Sequence, residues 1–271
     1  MQVVTVQPGD SPIVLGQPHG GISVPDEILV RLNQNGRVLA DTDWHIDRLY
    51  DGLLPGATVV QSHIHRYVID ANRDPQGVSL YPGQNTTTLV PLTDFDGVPI
   101  WHDGQEPSAD EVEERKVWFH TPYHAALTQE LERVKAKHGV AILFDCHSIR
   151  SNIPFLFDGK LPIFNTGTNN GETCAARIQQ MVHSIAETSG MSAVLNERFK
   201  GGWTTRHYGR PETGIHAVQM EISQRAYMHE GPHWNFDATY AAKIRPHLRK
   251  MLKKLNTLAR SGSLQSEGNA Q

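Results

Sequence analysis

No apolar stretch in the 271 residues approaches the roughly 18 that would suggest a membrane-spanning helix. Cysteine is scarce, with only Cys146 and Cys174, which excludes a disulfide-built scaffold and points to a reduced, cytoplasmic protein. The start, Met1-Gln2-Val3-Val4, lacks a basic segment followed by an apolar one, so no secretory leader is expected. An excess of positive charge is also missing. Lys plus Arg is 25 against 29 Asp plus Glu, a formal charge of −4, which gives no global attraction for nucleic acid or anionic lipid. No nucleic-acid or membrane partner is therefore expected, and any anion site must be local. The basic run at Arg249, Lys250, Lys253 and Lys254 reads as the solvated end of a last helix, favourably placed against its dipole. There is no repeat, no low-complexity linker and no charge block. One domain over 1–260 is expected, followed by a disordered tail over 261–271.

The chain is organised around Val140-Ala141-Ile142-Leu143-Phe144-Asp145-Cys146-His147-Ser148. An apolar run between Gly139 and Asp145 reads as a strand buried on both faces, in the middle of a mostly parallel sheet. Ligands of such sheets bind outside the carboxyl ends of the strands. Two other stretches run toward that edge: Pro12 to Leu15, leading to Pro18-His19-Gly20-Gly21, and His216 to Met220, leading to Glu221. Helical segments are expected over Pro25–Asn33, Trp44–Tyr50, Ser108 onward (with a restart at Thr121-Pro122 and an exit at Gly139), Glu172–Thr188 and Asp237–Leu258. Further strands are expected at Thr58–Val60, Tyr67–Ile69 and Met191–Leu195, while 76–104 and Asn196–Gly214 read as long loops. The fold class is α/β, a mixed, mostly parallel sheet flanked by helices.

Two imidazoles and one carboxylate make a three-ligand zinc site that leaves a position for water, the catalytic arrangement. His19 and His147 supply the imidazoles, and the carboxylate is one of Asp41, Asp43 and Asp47. Asp41 or Thr42 also fits the ordinary role of helix cap. His63 and His65, and the helix-spaced His120 and His124, read as structural: no third ligand follows the first pair, and the second lacks a metalloprotease glutamate. Glu221 interrupts an apolar strand, where an unemployed carboxylate is costly. It reads as the general base that takes a proton from a metal-activated water and gives it to a leaving amine. Its ordinary role would be an ion pair with an arginine. Asp145, two residues before His147, reads as an acceptor that orients an imidazole.

With these residues in place, the sequence resembles the N-formylglutamate deformylases, or N-formylglutamate amidohydrolases, over roughly Ser11 to Glu230. The likeness rests on Pro18-His19-Gly20-Gly21, Thr42-Asp43-Trp44, Arg66 through Asn72-Arg73, Leu80-Tyr81-Pro82-Gly83-Gln84, Asp145-Cys146-His147-Ser148, Arg198 to Gly202, Thr205 to Gly209 and Gln219-Met220-Glu221. The resemblance implies a zinc-carboxypeptidase-like fold and hydrolysis of N-formyl-L-glutamate to L-glutamate and formate in histidine catabolism. It implies a divalent metal, foremost Zn2+, on His19, Asp43 and His147, with Glu221 as the catalytic carboxylate. Where broader relatives carry Cys-Glu before the first histidine, this chain has Gln17-Pro18. A small substrate with two carboxylates calls for bidentate guanidinium groups, and Arg73, Arg198 and Arg206 are the candidates, ahead of Arg66 and Arg150. The rivals are hydrolysis of another N-acyl amino acid or a terminal peptide bond, and a metal- or small-molecule-binding protein without turnover.

Overall fold

A strand buried on both faces needs side chains that are content on both, and Ala141–Ile149 (β4) satisfies this along its whole length, every residue being buried. The computed structural model describes residues 1–80, 83 and 85–264. Around β4 lie Val4–Gln7 (β1), Ile13–Gln17 (β2), Thr58–Ser62 (β3), Phe164–Gly167 (β5), Ala193–Leu195 (β6) and Ile215–Ser223 (β7). They form one sheet in the order β1-β3-β2-β4-β7-β5-β6. The central four, β3, β2, β4 and β7, are parallel, while β1 on β3 and β5 on β7 are antiparallel. The sheet is thus mixed and mostly parallel, as expected.

Alternation along the strands divides the core. Ile13, Leu15, Ile142, Phe144, Val218 and Met220 pack against Ile46–Tyr50 (α2), Ala176–Glu187 (α5) and Ala238–Arg260 (α7). Val14, Ala141, Leu143 and Ala217 face the other way, under Tyr123, Leu127, Leu131 and Val134 of Thr121–His138 (α4). That second face carries Asp145 and His147, which lie in step with Leu143.

Several expectations are corrected. β4 does not stop at Asp145, nor β7 at Glu221, because polar partners within the sheet let the ladders continue through both. Tyr67–Ile69 is not a strand: the Val68 N–H donates to His65 O and the Tyr67 N–H to His65 Nδ1, closing a turn. Neither Asp41 nor Thr42 caps α2. Asp41 accepts from Tyr67 Oη and Phe95 N, and the Thr42 hydroxyl donates to Leu39 O. The expected loop 196–214 contains a helix, Trp203–Tyr208, and β1 and β5 lie in stretches too polar or short to stand out. Only Asp26–Leu29 of Pro25–Asn33 is α-helical. α4 begins at Thr121 with Pro122 in its first turn, as expected, and a π-helical turn, Lys116–His120, joins it to Ala109–Arg115. The caps at Ser108 and Gly139 form as read from sequence, and Asp237, expected only as the start of the last helix, accepts from Thr239 N and Tyr240 N as its cap. Of the expected tail, 261–264 form a turn in which Leu264 is buried, and 265–271 lie outside the described residues, as do Tyr81, Pro82 and Gln84.

His124, on α4, is held as a neutral ring. Its Nε2–H donates to Ala71 O at 2.7 Å, which leaves Nδ1 to accept from Tyr208 Oη at 3.0 Å. Burial, reinforced by the neighbouring His120, pushes its pKa from 6.5 down to about 3. A histidine depressed in the fold leaves stability intact above its unfolded value and erodes it as pH falls toward the folded one. Between pH 7 and 5 this group should remove roughly 2 kcal/mol, at about 1.4 kcal/mol per unit below 6.5. His124→Gln is expected to flatten the difference between urea-unfolding free energies at the two pH values by about that amount. An unchanged difference would show that the ring charges freely in the fold.

Candidate metal centre and active site

The parallel register builds the site. β4 and β7 pair His147 with Glu221 and Asp145 with Gln219, while β2 sets Gly16 beside Asp145. Adjacent parallel strands hold such partners on one face about 4.8 Å apart. β2 has β3 on one side and β4 on the other, so its carboxyl end is a switch point where a crevice opens. His19 lies just beyond that end. Asp43 arrives from the loop before α2, its backbone N–H donating to His19 O at 3.1 Å.

One ligand atom from each of His19, Asp43 and His147 lies within 4.8 Å of the others, and all three residues are buried. Asp43 Oδ2 is 3.3 Å from His147 Nδ1 and 4.0 Å from His19 Nδ1. His19 Nδ1 is buried without a hydrogen-bond partner, an open donor site facing the other two. The opposite ring nitrogens face carboxylates: His19 Nε2 is hydrogen-bonded to Asp70 Oδ1 at 2.7 Å, while His147 Nε2 lies 3.1 Å from Asp145 Oδ1 as an ion pair and 3.2 Å from Asn72 Nδ2. Such pairing fixes ring orientation and tautomer and makes each free nitrogen a better ligand. Asp145 Oδ2 accepts from the Thr205 hydroxyl at 2.8 Å. Arg66, buried, donates to Asp43 Oδ1 at 2.8 Å. The donor set and the convergence of Nδ1, Oδ2 and Nδ1 fit a divalent ion.

Charge is balanced locally. Burial disfavours ionised Asp43, but Arg66 and the two histidines hold its pKa below the usual carboxylate value. Asp70 is likewise opposed by burial, yet His19, Arg73 and Arg66 hold it well below. Burial and Arg66 keep His19 neutral, whereas at His147 the carboxylates of Asp145 and Asp43 outweigh burial and hold the imidazolium well above the usual range. Burial lifts Glu221 to about 8. Its Oε2 accepts from Gln219 Nε2 at 3.1 Å, and Gln219 Oε1 accepts from the Gly202 N–H at 2.7 Å.

A cavity of about 70 Å3 opens onto this cluster, lined by His19, His147 and Glu221 together with Arg66, Arg73 and Arg198. Arg73 is anchored by its Nε on Thr87 O and Arg198 by its Nε on Leu156 O. Arg206 is not part of the lining, and its Nε donates to Gly201 O. Arg150 pairs with Asp96 at 2.8 Å, away from the cavity. Asp47 joins neither the ligand cluster nor the lining. His63 bonds Thr5, and His120 lies against Arg73 O. Asp70, Arg66 and Gln219 are partners that the sequence reading did not assign; the polar Asp70-Ala71-Asn72-Arg73 after an apolar triplet was the signal available for the first.

A parallel-sheet switch point carrying two imidazoles, a carboxylate and a buried glutamate defines an α/β protein with a candidate hydrolytic metal centre. The chain belongs to the N-formylglutamate amidohydrolase family, whose model matches residues 11–228. It is 43% identical over 256 residues to an N-formylglutamate deformylase of Pseudomonas aeruginosa, and 42% identical to one of Pseudomonas putida, each time covering 94% of this chain and 96% of the relative. The fold is similar to a crystal structure of N-formylglutamate amidohydrolase from Ralstonia eutropha JMP134, with a TM-score of 0.81 at 23% identity, covering 97% of this chain and 100% of that one.

Because the His147 imidazolium must lose its Nδ1 proton to become a ligand, metal uptake by the metal-free protein is expected to release at least about one proton near neutral pH. Affinity should then rise about tenfold per pH unit across pH 6–7.5. Calorimetry of Zn2+ binding in buffers of different ionisation enthalpy reads the proton count. Binding heats independent of buffer would mean that Nδ1 carries no proton.

Proposed function

We propose that the chain is a metal-dependent N-formylglutamate deformylase that cleaves N-formyl-L-glutamate to L-glutamate and formate, in histidine catabolism. The observation that carries the reading is the convergence of His19 Nδ1, Asp43 Oδ2 and His147 Nδ1 beside Glu221 in a chain of this family. Zn2+ suits the two nitrogens and one oxygen, held by His19, Asp43 and His147. Bound there, it supplies Lewis acidity toward the formyl oxygen and lowers the pKa of a coordinated water. Glu221 takes the proton of the water that attacks the formyl carbon and returns it to the amide nitrogen as the C–N bond breaks. A carboxyl lifted to about 8 by burial suits both halves of that transfer near neutral pH. Asp70 and Asp145 keep the two imidazoles in place while the proton moves. Arg73 and Arg198 receive the substrate carboxylates. The two buried, free cysteines fit a reducing compartment, and we assign the enzyme to the cytoplasm.

Glu221→Gln keeps nearly the same shape and removes the proton acceptor. It is expected to retain metal and melting temperature while kcat falls roughly 10²–10⁴-fold. Near-normal kcat with a lowered melting temperature would instead make Glu221 a structural residue.

Arg73→Ala and Arg198→Ala should each weaken kcat/KM for N-formylglutamate by about 2–5 kcal/mol where a buried charge pair is lost. For whichever arginine reads the side-chain carboxylate, the loss should shrink with a formyl amino acid that lacks it. Unchanged kinetics in both variants would remove the arginines from substrate binding.

A further inference from the structure

His147 and Glu221 are fixed by strands, and His19 follows directly on one, but Asp43 comes from an irregular loop between the 3-10 turn Gly36–Val38 and α2. A loop carboxylate stays in ligand geometry only if other groups immobilise the chain on either side of it. Those groups come largely from the segment after β7. Gln224 Nε2 donates to Thr42 O at 2.8 Å, on one side of Asp43. On the other side, Tyr227 Oη donates to Trp44 O at 2.8 Å. The same phenol is in hydrogen-bond contact with Ser148 Oγ at 2.7 Å. Ser148, in turn, gives its backbone N–H to Asp43 Oδ2 at 3.0 Å. Ser148, Tyr227, Trp44 and Asp43 therefore close a ring of hydrogen bonds around the loop. Tyr227 is fully buried and does not line the cavity, so water cannot replace its hydroxyl and substrate does not meet it.

We infer that Tyr227 is a positioning residue for the metal centre, its hydroxyl holding the Asp43 loop against β4 so that Oδ2 stays between the two imidazoles. The inference rests on the reading of His19, Asp43 and His147 as metal ligands. Loss of the hydroxyl leaves Trp44 O without its buried donor, and the loop relaxes toward other partners. Asp43 Oδ1 stays on Arg66, so the carboxylate swings about that contact instead of leaving the site.

The test uses the full chain stripped of metal and titrated with Co2+ against a competing chelator. Tyr227→Phe is expected to bind Co2+ about 10–100-fold more weakly than the wild type, with a changed visible absorption spectrum of the bound ion. At saturating metal it should regain most of kcat, with KM unchanged, because the substrate contacts are untouched. Equal Co2+ affinity and an unaltered spectrum would overturn the inference even if the melting temperature fell, since a purely structural tyrosine would lower stability alone. Should Tyr227→Phe not fold, Ser148→Ala, which removes the supporting hydroxyl but keeps the N–H on Asp43, carries the same comparison with an expected loss of a few-fold. Failure of the wild type to bind Co2+ stoichiometrically would defeat the metal reading itself, whereas equal binding by wild type and variant defeats only the role of Tyr227.

Discussion

The register between β4 and β7 is the constraint on which the site depends. Shifting it by one residue would turn Asp145 and His147, or Gln219 and Glu221, into the apolar layer beneath α5 and α7, where no partner waits. The register is enforced from both faces at once: Phe144, Val218 and Met220 are apolar on one side, and Leu143 and Ala217 on the other. The polar residues thus follow the apolar ones on the same face of the central strands. Packing chooses the register, and the register delivers the chemistry.

The second determinant is the cost of gathering ions away from water. Asp43, Asp70, Asp145 and Glu221 are all buried around two imidazoles and Arg66. Carboxylates so placed persist only when paired, and each has a partner: Arg66 for Asp43, His19 for Asp70, Thr205 and His147 for Asp145, and Gln219 for Glu221. Glu221 is answered by a neutral amide, and burial pushes it up to about 8, into the range where a proton is readily taken and released. The carboxylates Asp43, Asp70 and Asp145 also make the cluster a favourable setting for a cation, apart from any particular bond to it.

Much of this was legible in the sequence because buried parallel strands announce themselves as unbroken apolar runs. Val140 to Phe144 did so, and the shorter apolar stretches within His216 to Met220 hinted at a second such strand, with the ionisable residues that follow standing out against them. Helix caps at Ser108 and Gly139 were readable because their chemistry is local. What sequence did not yield depended on contacts far along the chain. Asp41 carries every mark of a cap yet spends its oxygens on Tyr67 and Phe95. Tyr67-Val68-Ile69 is apolar enough for a strand but is bent by the ring nitrogen of His65. Asp70 and Arg66 acquire meaning only beside His19 and Asp43, and nothing in their spacing states that. Arg206 sits in a glycine-bearing loop like Arg198, but the helix Trp203–Tyr208 carries it away from the cavity lining.

The strand order has a consequence for how the protein is made. β7 sits between β4 and β5, although it is the last strand of the sheet to be synthesised. Until residues 215–223 leave the ribosome, β4 has an open apolar edge, and β5 with β6 has no sheet partner joining it to the rest. An exposed edge of that kind is a template for pairing with another chain. A nascent chain ending before β7 is therefore an aggregation hazard, and one insertion event both closes the sheet and brings Glu221 beside His147. Closing the sheet and gathering the candidate site residues are therefore one step, with α7 left to cover the core afterwards.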